Sequence, residues 1–183
     1  MNLKHILLGI SLIVVASCGI IRSGSDSFSD ESLVQDSFYG VRFKDPSRQV
    51  RNKMYKYRPV TGLLNNTIVF INMSFSGYEW PILEMRFTED KLYDVVFNNR
   101  FDEEKPATNL YESLLTRLMI KYPNLEPLSN GEGYRYTDSK NNTVSLRIRY
   151  GTSRGGDTGW FCTLSYTNGE GSFLNTLKSI DEL

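Results

Sequence analysis

The stretch "PILEMRFTEDKLYDVVFNN", residues 81–99, determines the fold class. In its first part, Leu83 and Met85 alternate with Glu84 and Arg86, and a period of two is typical of a strand with one buried face. The letters EDK then form a tight turn, and LYDVVFNN runs back with β-branched and aromatic residues. The stretch therefore predicts an antiparallel hairpin that has an apolar face and a polar face.

The sequence on both sides of this hairpin switches between strand and helix patterns. A further strand is predicted at residues 67–75, where β-branched and aromatic residues alternate. After the hairpin, "ATNLYESLLTRLMIKYP" carries Tyr111, Leu114, Leu118 and Tyr122 at the spacing of one helix face. This helix is the clearest one in the chain.

The remaining elements complete a pattern that occurs twice. A first helix carries Val50 after Asp45 as its N-cap, and three strands, GYRYTD, TVSLRIRY and WFCTLSYT, precede a last helix capped by Ser172. The order predicts an α+β fold. Its two tandem helix-plus-three-strand units, residues 38–105 and 106–183, form an antiparallel sheet covered on one face by helices. The halves share no residue-level identity, so the predicted repeat is one of architecture.

The N-terminus has the features of a secretion signal. Residues 1–17 place Lys4 before an apolar run, 6–16, that is too short to span a bilayer. The letters VASC at its end resemble the bacterial lipobox, which implies cleavage before Cys18 and lipid attachment to it. The alternative is an ordinary signal followed by an unmodified cysteine. Residues 18–37 are rich in Ser, Gly and Asp and predict a flexible tether to a single domain.

The C-terminus resembles a localisation signal for a different compartment. The chain ends in IDEL, which is close to the K-D-E-L signal for retention in the endoplasmic reticulum. Asn-x-Ser/Thr sequons begin at Asn65, Asn72 and Asn141. The first letter of the address differs, however, and the apolar residues near the terminus fit one face of a helix. A luminal protein of the secretory pathway is therefore the alternative if the lipobox cysteine carries no lipid.

The composition excludes several classes of function. The only histidine, His5, lies in the predicted signal, so the mature chain has no imidazole for a Ser-His or Cys-His pair or a His-ligated zinc. Of the 21 Lys and Arg residues, Lys4 leaves with the signal, so 20 basic residues balance 21 acidic ones. This balance gives no electrostatic footprint for nucleic acid. We predict no catalytic residue, no metal site and no cofactor.

Three local features invite a chemical role, and each has a simpler explanation. Cys162 alternates with apolar residues on its strand, which predicts a buried structural cysteine. The glycines within residues 151–159 lack the spacing of a phosphate loop, and a strand follows them. Asp102, Glu103 and Glu104 are adjacent in a loop and cannot all converge on one cation.

The most informative polar residues lie on the predicted strands. They are Glu84, Arg86, Arg147, Arg149 and Phe161. Alternation points the four charged residues away from the apolar face, and Phe161 and Tyr93 join them if the strand registers hold. Arginine beside aromatic residues on a rigid sheet is the composition of a protein-recognition surface. The other interpretation is a solvated sheet face with cross-strand ion pairs.

With these elements in place, the chain resembles a broad group of small Gram-negative envelope lipoproteins of unassigned function. The resemblance rests on "FYGVRFKDPSRQV", "FSGYEWPILEMRFTEDKLYDVVF", "YESLLTRLMIKYP" and the ending "LSYTN", which span most of residues 38–183. The architecture is also similar to the β-lactamase-inhibitor-protein-like fold, two of whose members act by binding proteins. Gly19, which stands where an Asp retention signal would follow the lipidated cysteine, favours the outer membrane.

The resemblance and the residues together predict a non-enzymatic outer-membrane lipoprotein of the bacterial envelope. It would be held to the membrane through lipid on Cys18 and would present a sheet face to an envelope protein. The alternative is a carrier that holds a small or glycan ligand in a cavity between sheet and helices.

Overall fold

The computed structural model describes residues 32–60, 65–153 and 155–173. The predictions for the signal segment, for Cys18 and for the C-terminal IDEL lie outside the described residues. The described chain contains helices and a seven-stranded antiparallel sheet, which confirms the predicted α+β class.

The elements follow in the order strand pair, helix, three strands, helix and four strands. The strands are β1 (Ser37–Phe38), β2 (Val41–Arg42), β3 (Thr67–Phe75), β4 (Tyr78–Thr88), β5 (Lys91–Phe101), β6 (Glu126–Pro127), β7 (Gly133–Thr137), β8 (Thr143–Thr152) and β9 (Thr158–Thr167). The helices are α1 (Ser47–Met54), which a 3-10 turn (Tyr55–Tyr57) extends, and α2 (Glu104–Lys121). Residues 169–173 are also helical. Strands β1 and β2 form a small separate sheet.

The hairpin of β4 and β5 forms as its sequence predicts. Its turn consists of Glu89 and Asp90, which both have positive φ, 50° and 59°. Positive φ at both central residues is the geometry of a type I′ turn, whose twist matches that of the two strands it joins.

The main sheet has the order β3-β4-β5-β9-β8-β7-β6, and all neighbouring strands are antiparallel. It therefore consists of two meanders, β3–β5 and β6–β9, which meet through their last strands. In the pairing of β5 with β9, Phe97 lies opposite Leu164. This long-range pairing places both meanders in a single curved surface.

Helices α1 and α2 pack on the same face of the sheet. Val50 and Met54 of α1 are buried in one core with Leu114 and Leu118 of α2 and Phe97 of the sheet. The Phe97 ring stacks on Phe75 with the centroids 4.2 Å apart. Burial of each large apolar side chain contributes about 1.5–3 kcal/mol, so this face holds the fold together.

Two predicted helix caps are wrong. The N-cap of α1 is Pro46 in extended conformation, because the Asp45 carboxylate is engaged by a neighbouring backbone N–H and by Lys53. The last helix begins earlier than predicted, where Asn168 rather than Ser172 accepts a hydrogen bond from a free N–H of the first turn.

Packed structure begins before β1. Val34 is buried, and its N–H donates to Oδ2 of Asp138 at 2.9 Å. The Asp138 carboxylate also accepts from the N–H groups of Lys140 and Asn142, which closes the turn between β7 and β8. Val34 is thus part of the folded domain, although the sequence-based division assigns residues 18–37 to the tether.

Candidate functional site

The open face is the side of the main sheet opposite α1 and α2. The register places Glu84, Arg86, Arg147, Arg149 and Phe161 on this face. Glu84 and Ser145 lie in one row across four strands, and Arg147 and Arg149 follow Ser145 at the spacing that keeps strand residues on one side. Arg149 lies directly opposite Phe161. The five residues are thus brought to one surface, spread over three strands.

A β-bulge adds Asp94 to the open face beside Tyr93. The register of β4 and β5 shifts between Arg86 and Phe87, so that Arg86 lies opposite Asp94 and Tyr93 is the extra residue. Tyr93 and Asp94 consequently both line the open face. Leu92, which lies opposite Phe87 between the turn and the bulge, is buried on the other side.

The open face is concave and holds a depression of about 790 Å³. Hydroxyl groups form much of its lining, from Thr143, Ser145, Thr163, Ser165 and Thr167. The hydroxyls of Ser145 and Ser165 are 2.8 Å apart, and Thr163 donates to Oδ1 of Asn98 at 2.8 Å. The volume is that of a ligand site, but the lining is polar where most such sites are apolar.

On the β4–β5 side, four residues form the Arg86 network, which comprises Glu84, Arg86, Asp94 and Thr167. The guanidinium Nη2 and Nε of Arg86 contact Oε2 of Glu84 at 2.6 and 3.0 Å. Its Nη1 contacts Oδ2 of Asp94 at 3.1 Å, and Thr167 donates to Oδ1 of Asp94 at 2.9 Å. Every charge of the network therefore has a partner within the chain.

The Arg86 network holds two carboxylates around one guanidinium. Burial raises the pKa of Asp94, and the Glu84 charge adds to this rise, whereas Arg86 and the Thr167 hydrogen bond offset it only in part. Burial lowers the pKa of Arg86, but its hydrogen bond to Glu84 and the Asp94 charge outweigh burial, so the pKa is raised overall. Arg86 thus acts as the fixed cation of a structural cluster.

On the β7–β8 side, three residues form the arginine strip, which comprises Arg135, Arg147 and Arg149. Arg147 and Arg149 are exposed, and within the described residues neither side chain makes a hydrogen bond or ion pair. The Arg149 guanidinium lies over the Phe161 ring, 5.1 Å from its centroid. Arg135 comes no closer than 3.9 Å to Glu126, and both side chains are exposed. Among the described residues, the strip therefore carries charge that is largely without an ionic partner.

Three parts of this surface were missed by sequence reasoning. Arg135 lies between Tyr134 and Tyr136, so the alternation that identified Arg147 would also have identified it. The role of Asp94 and the hydroxyl lining depend on a bulge and on pairings between strands, which leave no pattern in the sequence.

The other chemical features of the chain form no site within the described residues. Cys162 is fully buried, and burial raises the pKa of its thiol to about 12, so it packs as predicted and supplies no thiolate. Ser153 and Asp157 close the turn between β8 and β9 by a backbone hydrogen bond of 2.8 Å. Asp102 pairs with Arg100 at 2.8 Å. Among the described residues no group of three or more candidate metal ligands occurs.

Comparison with known proteins adds no assignment. No family model matches the chain, and neither a curated protein nor a solved structure matches it. Over the described ranges, no helix is long and apolar enough to cross a membrane. The function is therefore inferred from the open face and from the sequence.

Proposed function

We propose that this protein is a non-enzymatic, lipid-anchored protein of the bacterial envelope that binds another protein through the open face of its sheet. The observation that carries the proposal is the presence of two exposed arginines, Arg147 and Arg149, without a hydrogen-bonding or ionic partner among the described residues. They stand on a preformed concave surface beside Phe161. Arginine and aromatic residues are enriched where protein interfaces gain their affinity.

The rigidity of the open face supports this role. Its strands belong to one sheet, and the other side of that sheet is the main core. The Arg86 network further ties β4, β5 and β9 together by hydrogen bonds. A partner would therefore meet a surface that needs little ordering, which lowers the entropic cost of association.

The membrane anchor in this proposal rests on the sequence. The letters VASC end a short apolar run, as a lipobox does, and Gly19 after Cys18 favours the outer membrane. A single acyl chain would bind a bilayer only marginally, whereas the several chains expected on a bacterial lipoprotein give a stable anchor.

We further propose that the domain consists of two tandem helix-plus-three-strand units. In support, α1 precedes the meander β3–β5, α2 precedes β7–β9, and the last strands of the two meanders pair with each other. The two-residue strand β6 is then an addition to the second unit. In this arrangement the first unit supplies most of the Arg86 network and the second supplies the arginine strip.

A second candidate function is the binding of a small or glycan ligand. The volume of the depression and its hydroxyl-rich lining favour it. Such a ligand would lie on the open face, since large core side chains such as Phe97 and Leu114 fill the space between sheet and helices.

Intact mass and membrane partition test the anchor. The mature protein from its native cell should carry an acylated N-terminal cysteine and sediment with membranes, and the Cys18→Ala variant should lose both properties. An unmodified, soluble wild type would contradict the anchor. It would favour the luminal alternative, for which the sequons at Asn65, Asn72 and Asn141 would be relevant.

Site-specific crosslinking in the native cell tests the binding face. A photo-reactive residue replaces Ile82 on the open face in one variant and Ile120, an exposed residue of α2, in a matched control. We expect a discrete protein adduct from position 82 and none from position 120. Adducts from the helix position alone, or from neither, would contradict the proposal.

A further inference from the structure

The members of the arginine strip occupy neighbouring positions of the open face. Arg147 and Arg149 are two residues apart on β8, and Arg135 lies opposite Ser145, the preceding outward residue of that strand. Positions two residues apart on a strand are about 7 Å from each other. Diagonal neighbours on adjacent strands are separated by about 7–8 Å. The three guanidinium groups can therefore act together on closely spaced anionic groups.

The space beside Arg147 is open on its β7 side. Gly133 lies directly opposite Arg147, so β7 presents no side chain there. A Cβ at this glycine would stand 2.0 Å from the carbonyl oxygen of Leu146, which excludes any other residue without a shift of the backbone. The close approach of the two strands thus keeps the flank of this guanidinium accessible.

The strip is complementary to carboxylates that come from outside the chain. In the free protein its charges repel one another, because like charges on neighbouring strand positions are destabilising. A guanidinium presents its donors in a fork that matches a carboxylate with two parallel hydrogen bonds. Arg86 already uses this capacity on Glu84 and Asp94, whereas Arg147 and Arg149 contact no carboxylate in the part of the chain that the structure describes.

The β3–β4 side of the open face is apolar at its exposed positions. Ile71 and Ile82 lie opposite each other and are 49% and 41% exposed. They belong to the same cross-strand row as Asn98, Thr163 and Arg147. At a strand spacing of about 4.8 Å, about 14 Å separates Ile82 from Arg147. An extended polypeptide crosses this distance with roughly five residues.

We propose that the open face binds an acidic polypeptide segment of the partner protein, with its carboxylates on the arginine strip and its apolar side chains on Ile71 and Ile82. The inference rests on the proposed function and names the chemistry of the partner. The hydroxyl oxygens between the two ends, such as that of Thr163, are placed to accept hydrogen bonds from backbone N–H groups of the segment. A sulfated glycan or a phosphate group would use only the arginine end of the row.

Fluorescence anisotropy with labelled synthetic peptides tests this inference on the full chain. The probe peptide has adjacent Glu residues at one end, a Ser-Gly spacer and Leu residues at the other end, and its control has Gln in place of each Glu. We expect the probe to bind the wild type and the control peptide to bind at least about tenfold more weakly. The affinity for the probe should fall as the salt concentration rises.

Paired variants test whether binding of the probe depends on the arginine strip or only on the net charge of the protein. The double variant Arg147→Gln and Arg149→Gln should bind the probe about tenfold more weakly or worse. The control Arg48→Gln and Arg51→Gln removes the same charge from exposed positions of α1 and should bind like the wild type. Equal losses in both double variants, or no loss in either, would overturn the inference. Ile82→Ser should weaken binding of the probe and leave binding of a peptide without Leu unchanged.

Competing ligands complete the test. A sulfated oligosaccharide and anionic phospholipid vesicles are measured against the same variants. Binding of either one that depends on the strip, without binding of the acidic peptide, would overturn the assignment to a polypeptide. A crosslinked protein partner at position 82 with no binding of the acidic peptide would overturn this inference and leave the proposed function standing. Absence of both would overturn both.

Discussion

Arg86 and Arg147 stand on opposite sides of the open face, and only Arg86 has ionic partners within the described chain. Arg86 on β4 lies opposite Asp94 on β5, whereas Arg147 on β8 lies opposite Thr163 on β9. A carboxylate across the strand makes the first arginine part of the fold. The second arginine has a hydroxyl in the same relative position, and within the described ranges it forms no ion pair. Whether one of these arginines forms an ion pair within the sheet is thus determined by its cross-strand neighbour and not by its own residue type.

The largest expected effect on stability comes from removing the paired arginine. Arg86→Leu should lower the free energy of unfolding by about 2 kcal/mol, because Glu84 and the buried Asp94 remain as neighbouring carboxylates without a cation. The loss is smaller than for a fully buried pair since Arg86 is partly exposed. Urea unfolding near neutral pH measures it.

Arg147→Leu is the matched control on the other side of the face. It breaks no ion pair between described residues, so it should change the free energy of unfolding by about 0.5 kcal/mol or less. Equal losses in the two variants would mean that the two arginines do not differ in their structural role.

The second prediction concerns a variant that gives Arg147 a cross-strand carboxylate like the one that Arg86 has. Thr163→Glu places a carboxylate directly opposite Arg147, as Asp94 stands opposite Arg86. The new ion pair should occupy the guanidinium and weaken binding of the acidic peptide about tenfold, which corresponds to about 1.4 kcal/mol. Anisotropy measures this loss. Thr116→Glu on the exposed face of α2 adds the same charge and should leave the affinity nearly unchanged. If both variants bind alike, Arg147 does not contact the peptide.

Sequence reasoning was sufficient for features that depend on neighbours within one element. The hairpin at residues 81–99, the buried face of α2 with Leu114 and Leu118, and the outward position of Arg147 all follow from periods of 2 and 3.6. Each of these patterns reports which side of a strand or helix is apolar. It does not report which residues of neighbouring strands lie beside the polar residues.

Contacts between elements required the structure. A regular register counted from the turn would place Tyr93 opposite Arg86, and only the bulge brings Asp94 there. The concave face depends on the pairing of β5 with β9, which joins residues as distant in the chain as Phe97 and Leu164. Whether an arginine is paired is a property of this three-dimensional neighbourhood. The sequence pattern therefore placed Arg86 and Arg147 on the same polar face without showing which of them forms ion pairs.

The third prediction concerns the pH dependence of the Arg86 network. Burial raises the pKa of Asp94 in the folded state above its value in the unfolded chain, so the folded state binds this proton more tightly. As the pH falls from neutrality through the raised pKa toward the ordinary value of 3.8, the unfolding free energy of the wild type should rise relative to that of Asp94→Asn. Urea unfolding over this pH range measures the difference, and a fall would contradict the prediction.

Asp45 provides a reference because its pKa is shifted in the opposite direction to that of Asp94. Burial raises its pKa, but the hydrogen bonds from Lys53 and from the Arg42 N–H outweigh burial and lower the pKa overall. The stability that this lowered pKa provides is present above 3.8 and is lost as the pH falls below that value. In acid, the unfolding free energy of the wild type should therefore fall relative to that of Asp45→Asn. Relative to that of Asp94→Asn, it should rise.

The smallest effect is expected from neutralising the arginine strip in the free protein. The double variant Arg147→Gln and Arg149→Gln removes repulsion and breaks no ion pair that the described part of the chain contains, so its unfolding free energy should rise by up to about 0.5 kcal/mol at low salt. Added salt screens exposed charges and should reduce this gain. A loss of more than about 1 kcal/mol would instead show that the strip supports the fold, as Arg86 does. A gain in a variant that no longer binds the acidic peptide would mean that these charges are unfavourable to the isolated domain and become favourable only when a ligand supplies the missing carboxylates.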